Sequence, residues 1–388
     1  MVCEPVNSTT LGCTGVGAVY SRDYQLTNTS SFPYLNHPDE WPFMSGAFLA
    51  LINLLTSNEL TGLFLCSILL GIFGIGCILT YENLRVSWKR YIPVFVVAPV
   101  IVEYGYGTEI IQVLLMLLGY MYFQQSKSVK AGILLGLASG VKYLPLLLLP
   151  VFLQYCKSWK YDKGKTRNIL PNEFTVNLSN SRPALAVSWL GTFGFGMFIQ
   201  YALSPVNFVR SISFYSGYGI EGSWIGLLFP GSIINYTKQT TWYIGQGTSI
   251  HPLDLYEAVS ATLVLGFLVY ILRLKNYTFE EKLIFVFTDI FVFLWISAPQ
   301  FLINVVGLLP IVYAFKVNKL NMGIFYVLNL FCFTPFIFFY GGHTSLIVAF
   351  DFQIVAELFL VLFVYVAFVV PKHLSEFRIF KSKQAVQT

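Results

Sequence analysis

Apolar residues fall in long blocks separated by short polar or basic stretches, and the blocks approach the length a helix needs to cross a bilayer. The runs at 60–81, 184–203, 257–273, 283–298, 300–315, 322–340 and 345–370 read as membrane spans. Four shorter runs, at 91–102, 109–124, 131–141 and 145–156, are mostly interrupted by proline or glycine (Pro93, Pro99, Gly132, Gly136, Pro150). Short and interrupted runs predict tilted, broken or re-entrant helices, which are tolerated at membrane depth only when packed in protein or lining a cavity. The run at 43–55 is shorter than a span and follows Trp41-Pro42, so it predicts a helix lying in the headgroup layer.

Composition sharpens this pattern. Of 388 residues, 56% are apolar and only 11% charged, against roughly a quarter charged in a soluble domain. The expected fold is an all-α polytopic membrane protein of about eleven spans plus the interfacial helix. It forms one integral domain over 1–388, with an outer loop and interfacial helix (1–59), a first helix group (60–203), a long outer loop (204–256) and a second helix group (257–388). A secreted disulfide scaffold, a disordered chain and a nucleic-acid binder are excluded. The first 42 residues are polar, with no run resembling a cleavable signal peptide. Cys66, Cys77, Cys156 and Cys332 read as small core residues, while Cys3 and Cys13 share the N-terminal segment and suit a bridge in an oxidising compartment.

The distribution of cations sets direction. With the N-terminus outside, only Arg22, Lys142, Arg210 and Lys238 fall outside; the other twenty of the 24 Lys and Arg fall inside, at 85–90, 127–130, 157–182, 273–282, 316–319 and 372–383. The expectation is a multi-pass protein of the plasma membrane with a cytoplasmic C-terminus. Sequons at Asn7, Asn28 and Asn235 lie on the outer side, those at Asn177 and Asn276 inside.

Ten of the nineteen acids then gather outside: Glu4, Asp23, Asp39, Glu40, Glu59, Glu103, Glu109, Glu221, Asp254 and Glu257. Carboxylates with a few isolated cations suit a reaction that needs a base and a counter-ion for a phosphate leaving group. Asp39 and Glu40 precede a helix, where capping is the plainer role. Lys142 stands between two apolar halves in GILLGLASGVKYLPLLLLP, where it either snorkels to the interface or binds an anion. Glu221 and Trp224 sit in a Gly/Tyr-rich loop, SFYSGYGIEGSW, which suits sugar stacking or merely turning. Asp351 and Glu357 lie inside the last span and each needs a partner. The four histidines, His37, His251, His343 and His373, share no metal-ligand spacing, and no phosphate-binding glycine loop or nucleophile elbow is present. No metal or cofactor is expected, and a donor would arrive through the bilayer on a lipid.

Four segments carry a resemblance: FPYLNHPDEWPFMSGAF; the stretch from YIPVFVVAP through GILLGLASGVKYLPLLLLP; SFYSGYGIEGSWIGLL; and SAPQFLINVVGLLPI. In this order they resemble the membrane glycosyltransferases of the C-type fold (GT-C) that use polyprenyl-phosphate sugars, closest to the α-mannosyltransferase family that includes the phosphatidylinositol-mannoside mannosyltransferases. The first resembles that family's Pro-Tyr and Glu-Tyr-Pro pattern, the second its central helix pair and Lys-x-x-Pro helix, the third its long outer loop, and the fourth its Ser-Pro-Gln-Tyr helix start.

The resemblance implies inverting transfer of a hexose, mannose first, from a polyprenyl- or dolichyl-phosphate sugar to a lipid-linked or glycan acceptor at the outer face. A carboxylate deprotonates the acceptor hydroxyl, and cations hold the departing lipid phosphate. Carried over, Glu40 matches the Glu before Tyr-Pro, Lys142 the helix lysine and Gln300 the glutamine of the Pro-Gln pair. The chain departs from the pattern in three places. The family places a span before its first outer loop. It carries an Asp upstream of a Tyr in that loop, where this chain has Asp23 three residues after Tyr20. Relatives often show Trp-Asp where Thr108-Glu109 stands. The base is therefore Asp23 first, then Glu40 or Asp39, with Glu109 as a further candidate. Arg22, Arg210, Glu221, Trp224 and His343 join Lys142 and Gln300 as expected substrate-binding residues. Membrane lipids, the donor and the acceptor are the expected partners. A transporter or flippase and an inactive relative are the alternatives.

Overall fold

The computed structural model describes residues 2–5, 11–14, 42–56, 58–95, 108–156, 181–213, 220, 223–232, 254–296, 301–340 and 346–372. The chain begins with a small antiparallel hairpin, β1 (Val2–Pro5) and β2 (Leu11–Thr14), whose register sets Cys3 opposite Cys13. Cross-strand neighbours stand at a backbone separation that a disulfide spans.

The helices that follow are α1 (Phe43–Leu55), α2 (Glu59–Asn83), α3 (Trp88–Phe95), α4 (Glu109–Gln124) and α5 (Ser128–Val141), then a 3-10 turn, Leu144–Leu148, running into α6 (Leu149–Tyr155). After them come α7 (Arg182–Leu203), α8 (Pro205–Ser213), α9 (Leu255–Arg273), α10 (Phe279–Phe293), α11 (Leu302–Leu308), α12 (Lys319–Tyr340) and α13 (Leu346–Val364), the last continued by a π-helical turn, Tyr365–Val369. Among the described residues, four helices are long and apolar enough to cross a membrane: Phe64–Asn83, Arg182–Leu203, Leu255–Arg273 and Gln353–Lys372. The shorter apolar helices include Phe43–Leu55, Glu109–Gln124, Ser128–Val141 and Leu144–Tyr155.

Bounds follow the apolar runs where polar residues flank them, and depart where capping or proline intervenes. Helix α10 starts at Phe279, ahead of its apolar run. There Thr278 and Glu281 form a capping box: Glu281 N–H donates to Thr278 Oγ1 at 3.3 Å, and Thr278 N–H donates to Glu281 Oε2 at 2.6 Å. It also ends five residues short of 298. The run at 300–315 is broken where α11 passes into a 3-10 turn holding Pro310. Asp254 and Glu257 form a capping box too: Glu257 Oε2 accepts from Asp254 N–H at the start of α9. Helix α1 has Pro42 at its N-cap and no acid in its first turn; Asp39 and Glu40 lie outside the described residues. The four cysteines expected in the core are buried.

Close helix contact is set by glycine. A Cβ on Gly132 would meet Ser188 Oγ at 1.9 Å, and one on Gly136 would meet Trp189 O at 2.6 Å, so α5 lies directly on the backbone of α7. Trp189 Nε1–H donates to Ser139 Oγ at 2.9 Å and locks the pair. Helix α4 lies between α5, α2 and α11, and Gly307 of α11 meets Val113 of α4 in the same way.

Arg90, Lys282 and Lys372, one from each of three basic clusters, cap or pair within one end of the bundle. Arg90 donates to Val312 O and Phe315 O, Lys282 Nζ donates to Leu272 O and Gln154 Oε1, and Lys372 pairs with Glu281 at 3.0 Å. Basic side chains at helix ends satisfy carbonyls that the helix leaves open. Every one of these contacts joins segments that the charge pattern assigns to the same face.

Gly136→Ala should lower the stability of the detergent-solubilised chain by about 1–3 kcal/mol through overpacking. Gly191→Ala, where no atom lies within 4 Å, should leave it unchanged or raise it by up to about 1 kcal/mol. Thermal melts of the two variants check this; equal losses would refute the backbone contact at Gly136.

Candidate active site at a buried ion pair

Glu109 is the first residue of α4 and is 2% exposed. Lys142 caps the C-terminus of α5 in extended conformation, with its side chain 7% exposed. Lys142 Nζ stands 3.0 Å from Glu109 Oε1. Neither charge reaches water on its own, so Lys142 does not snorkel. The ammonium also lies 5.8 Å over the Phe301 ring, a distance at which a ring face attracts a cation.

Four hydrogen bonds hold this geometry. Ser45 of α1 donates its hydroxyl to Val141 O at 2.8 Å and bonds Thr108 Oγ1 at 3.0 Å, tying the end of α5 to the start of α4. One turn along α4, Gln112 Nε2–H donates to Asn304 Oδ1 at 3.0 Å, and Asn304 Nδ2–H donates to Phe301 O at 3.2 Å. Three of the four segments carrying the resemblance therefore converge: Ser45 from the first, Glu109 and Lys142 from the second, Phe301 and Asn304 from the fourth.

The third segment is anchored separately. Trp224 Nε1–H donates to Val292 O at 2.7 Å, and its backbone N–H donates to Glu357 Oε2 at 3.2 Å. Trp224 and Glu357 line a cleft of ≈ 220 Å³ with Val292, Phe293 and Leu358. Leu358 is exposed, so the cleft borders the apolar outer surface.

Asp23, Arg22, Asp39, Glu40, Glu221, Gln300 and His343 lie outside the described residues. Arg210 lies on α8, without a described side chain. Among the described residues no group of three His, Cys, Asp or Glu side chains stands close enough to hold a metal. Sequence reasoning missed Ser45, Gln112 and Asn304; only Gln112 had a signal, three residues after Glu109 on the same helix face. It also passed over Asp289, 5% exposed on α10, with neither carboxylate oxygen bonded among the described residues.

Removing one member of a buried pair leaves the other charge stranded, at about 3–5 kcal/mol, whereas replacing both with apolar residues costs little. Lys142→Met and Glu109→Leu should each destabilise strongly and the double variant much less, as a double-mutant cycle on thermal unfolding would read. Additive losses would mean the pair does not exist in the bilayer.

Residues 41–161 match the family model described as Glycosyltransferase family 87. No curated protein matches the chain. The matched segment, about a third of the chain, includes Ser45, Glu109 and Lys142. With the apolar helices, this likeness supports a membrane glycosyltransferase.

Proposed function

We propose that the chain transfers a hexose, mannose first, from a polyprenyl- or dolichyl-phosphate sugar to a lipid-linked or glycan acceptor at the outer membrane face. The observation that carries this is the buried Glu109–Lys142 pair, placed where three separate segments of the chain meet. A desolvated ammonium is the group a departing phosphate needs.

In this reading Lys142 exchanges Glu109 for the donor phosphate. The acceptor oxygen forms its bond to the anomeric carbon as the bond from that carbon to the phosphate oxygen breaks. The phosphate takes the electron pair, and a carboxylate takes the acceptor's proton. Because Glu109 holds the ammonium in place, it serves as a positioning residue. The base is Asp23, with Glu40 or Asp39 next and Glu109 a further candidate. Gln300, adjacent in sequence to Phe301, accompanies Lys142 on the donor, and Arg22, Arg210, Glu221, Trp224 and His343 line the rest of the substrate path. The short helices complete an eleven-pass bundle in the plasma membrane, N-terminus outside and C-terminus cytoplasmic.

Membranes holding the full chain, supplied with radiolabelled polyprenyl-phosphate mannose, should transfer label to lipid or glycan. Asp23→Asn should abolish transfer; retained transfer would move the base to Glu40, Asp39 or Glu109. Lys142→Ala should weaken donor use by roughly ten- to a hundredfold, the worth of a hydrogen bond to a charged group, about 1.5–3 kcal/mol. Donor use unchanged by Lys142→Ala would refute the assignment of this site. A reporter fused after Thr388 should read cytoplasmic.

A further inference from the structure

At the end of α4 opposite Glu109, a polar cleft of ≈ 500 Å³ opens between the C-terminal ends of α2 and α4. Its walls include Asn83, Arg85, Tyr120, Gln124, Gln125 and Glu280. A 16-residue helix is about 24 Å long, close to the thickness of a hydrocarbon core. With Glu109 at one headgroup level, the cleft therefore stands at the other.

The cleft holds one anion and one cation that do not close on each other. Glu280 Oε1 accepts from Tyr120 Oη–H at 2.7 Å and from Gln124 Nε2–H at 3.3 Å. Among the described residues Oε2 has no hydrogen bond, and neither Glu280 nor Arg85 has an ion-pair partner. The two hydrogen bonds fix the carboxylate against the wall instead of leaving it to swing in solvent.

Arg85 is placed with equal care. Helix α2 ends in a Schellman turn, with Arg85 N–H donating to Glu82 O at 2.8 Å and Val86 N–H to Tyr81 O at 2.9 Å. Arg85 occupies the left-handed position at φ 58°, which glycine fills at no cost and an L side chain fills at about 1–2 kcal/mol. An arginine held there brings a guanidinium to the rim that glycine would not supply. The dipoles of two helix C-termini meanwhile make the floor electronegative, which favours a cation.

We propose that this cleft binds a zwitterion joining a primary ammonium to a phosphate, the chemistry of an aminophospholipid headgroup: the ammonium against Glu280 and the two helix ends, the phosphate against Arg85. The site is independent of glycosyl transfer. A quaternary ammonium has no N–H to donate to Glu280, so ethanolamine is preferred over choline.

The test is native mass spectrometry of the full chain in detergent, offered equal amounts of palmitoyl-oleoyl phosphatidylethanolamine, phosphatidylcholine and phosphatidylglycerol. Roughly tenfold more phosphatidylethanolamine than phosphatidylcholine should be retained. Glu280→Gln keeps acceptors for Tyr120 and Gln124 and should level the two. Arg85→Ala should weaken retention of both. Displacement by free O-phosphoethanolamine would show that the headgroup alone suffices, and persistence would show that the ligand must be lipid-borne; both support the zwitterion site. Equal retention by the unaltered chain, a preference for phosphatidylglycerol, or a preference that survives Glu280→Gln would overturn it.

Discussion

An ammonium taken out of water must find an opposite charge within a few ångströms, and in this bundle that requirement ties distant segments together. Lys142 finds Glu109. The pair then fixes the end of α5 against the start of α4. Ser45 brings α1 to the same joint through both helix ends, and Phe301 brings α11. The joint forms only if α5 lies close to its neighbours, which is why Gly132 and Gly136 sit against the α7 backbone. Replacing either glycine pushes α5 away from α7 and moves Lys142 with it. Structural tightness at the glycines and chemistry at the lysine are thus one constraint.

What the sequence revealed follows the range of the forces involved. The ends of α1 and α4 were legible because an apolar run stops where polar residues begin. The early start of α10 was legible in principle, since Thr278 and Glu281 have the spacing of a capping box. The pairing of Glu109 with Lys142 was not legible. Each stood out as an isolated charge at the edge of an apolar run, and nothing in their separation along the chain says that α4 and α5 present them to each other. Asn304 was harder still, because an amide in an apolar helix carries no pattern until its partner is known. The glycine stripe was visible as composition, while its meaning depended on α7.

Charge sorting shows the same division. The basic clusters look like simple orientation signals, yet Arg90, Lys282 and Lys372 also close off carbonyls and a carboxylate that the bundle would otherwise leave open. Orientation and capping are compatible because both act at helix ends. Arg90, Lys282 and Lys372 gather at one end and Lys142 stands apart from them, so in the proposed reading a donor phosphate would meet one desolvated positive charge instead of a diffuse basic surface. A single fixed cation gives geometric selection that a cluster does not.

The alternative of a transporter turns on whether the two helix groups move past each other. Alternating access requires one group to rock against another around a central site. Here the first helix group is tied to the second along the whole of α4 and beyond it. Gln112 bonds Asn304, Val113 fills the space left by Gly307, Tyr81 Oη–H donates to Gly307 O at 2.6 Å, Tyr120 bonds Glu280, and Lys282 donates to Gln154. Rocking would break buried polar contacts near both ends of α4 at once, each costing about 1–3 kcal/mol when left unmade. A scaffold tied together in this way suits a fixed site and weighs against a carrier that opens to each side in turn.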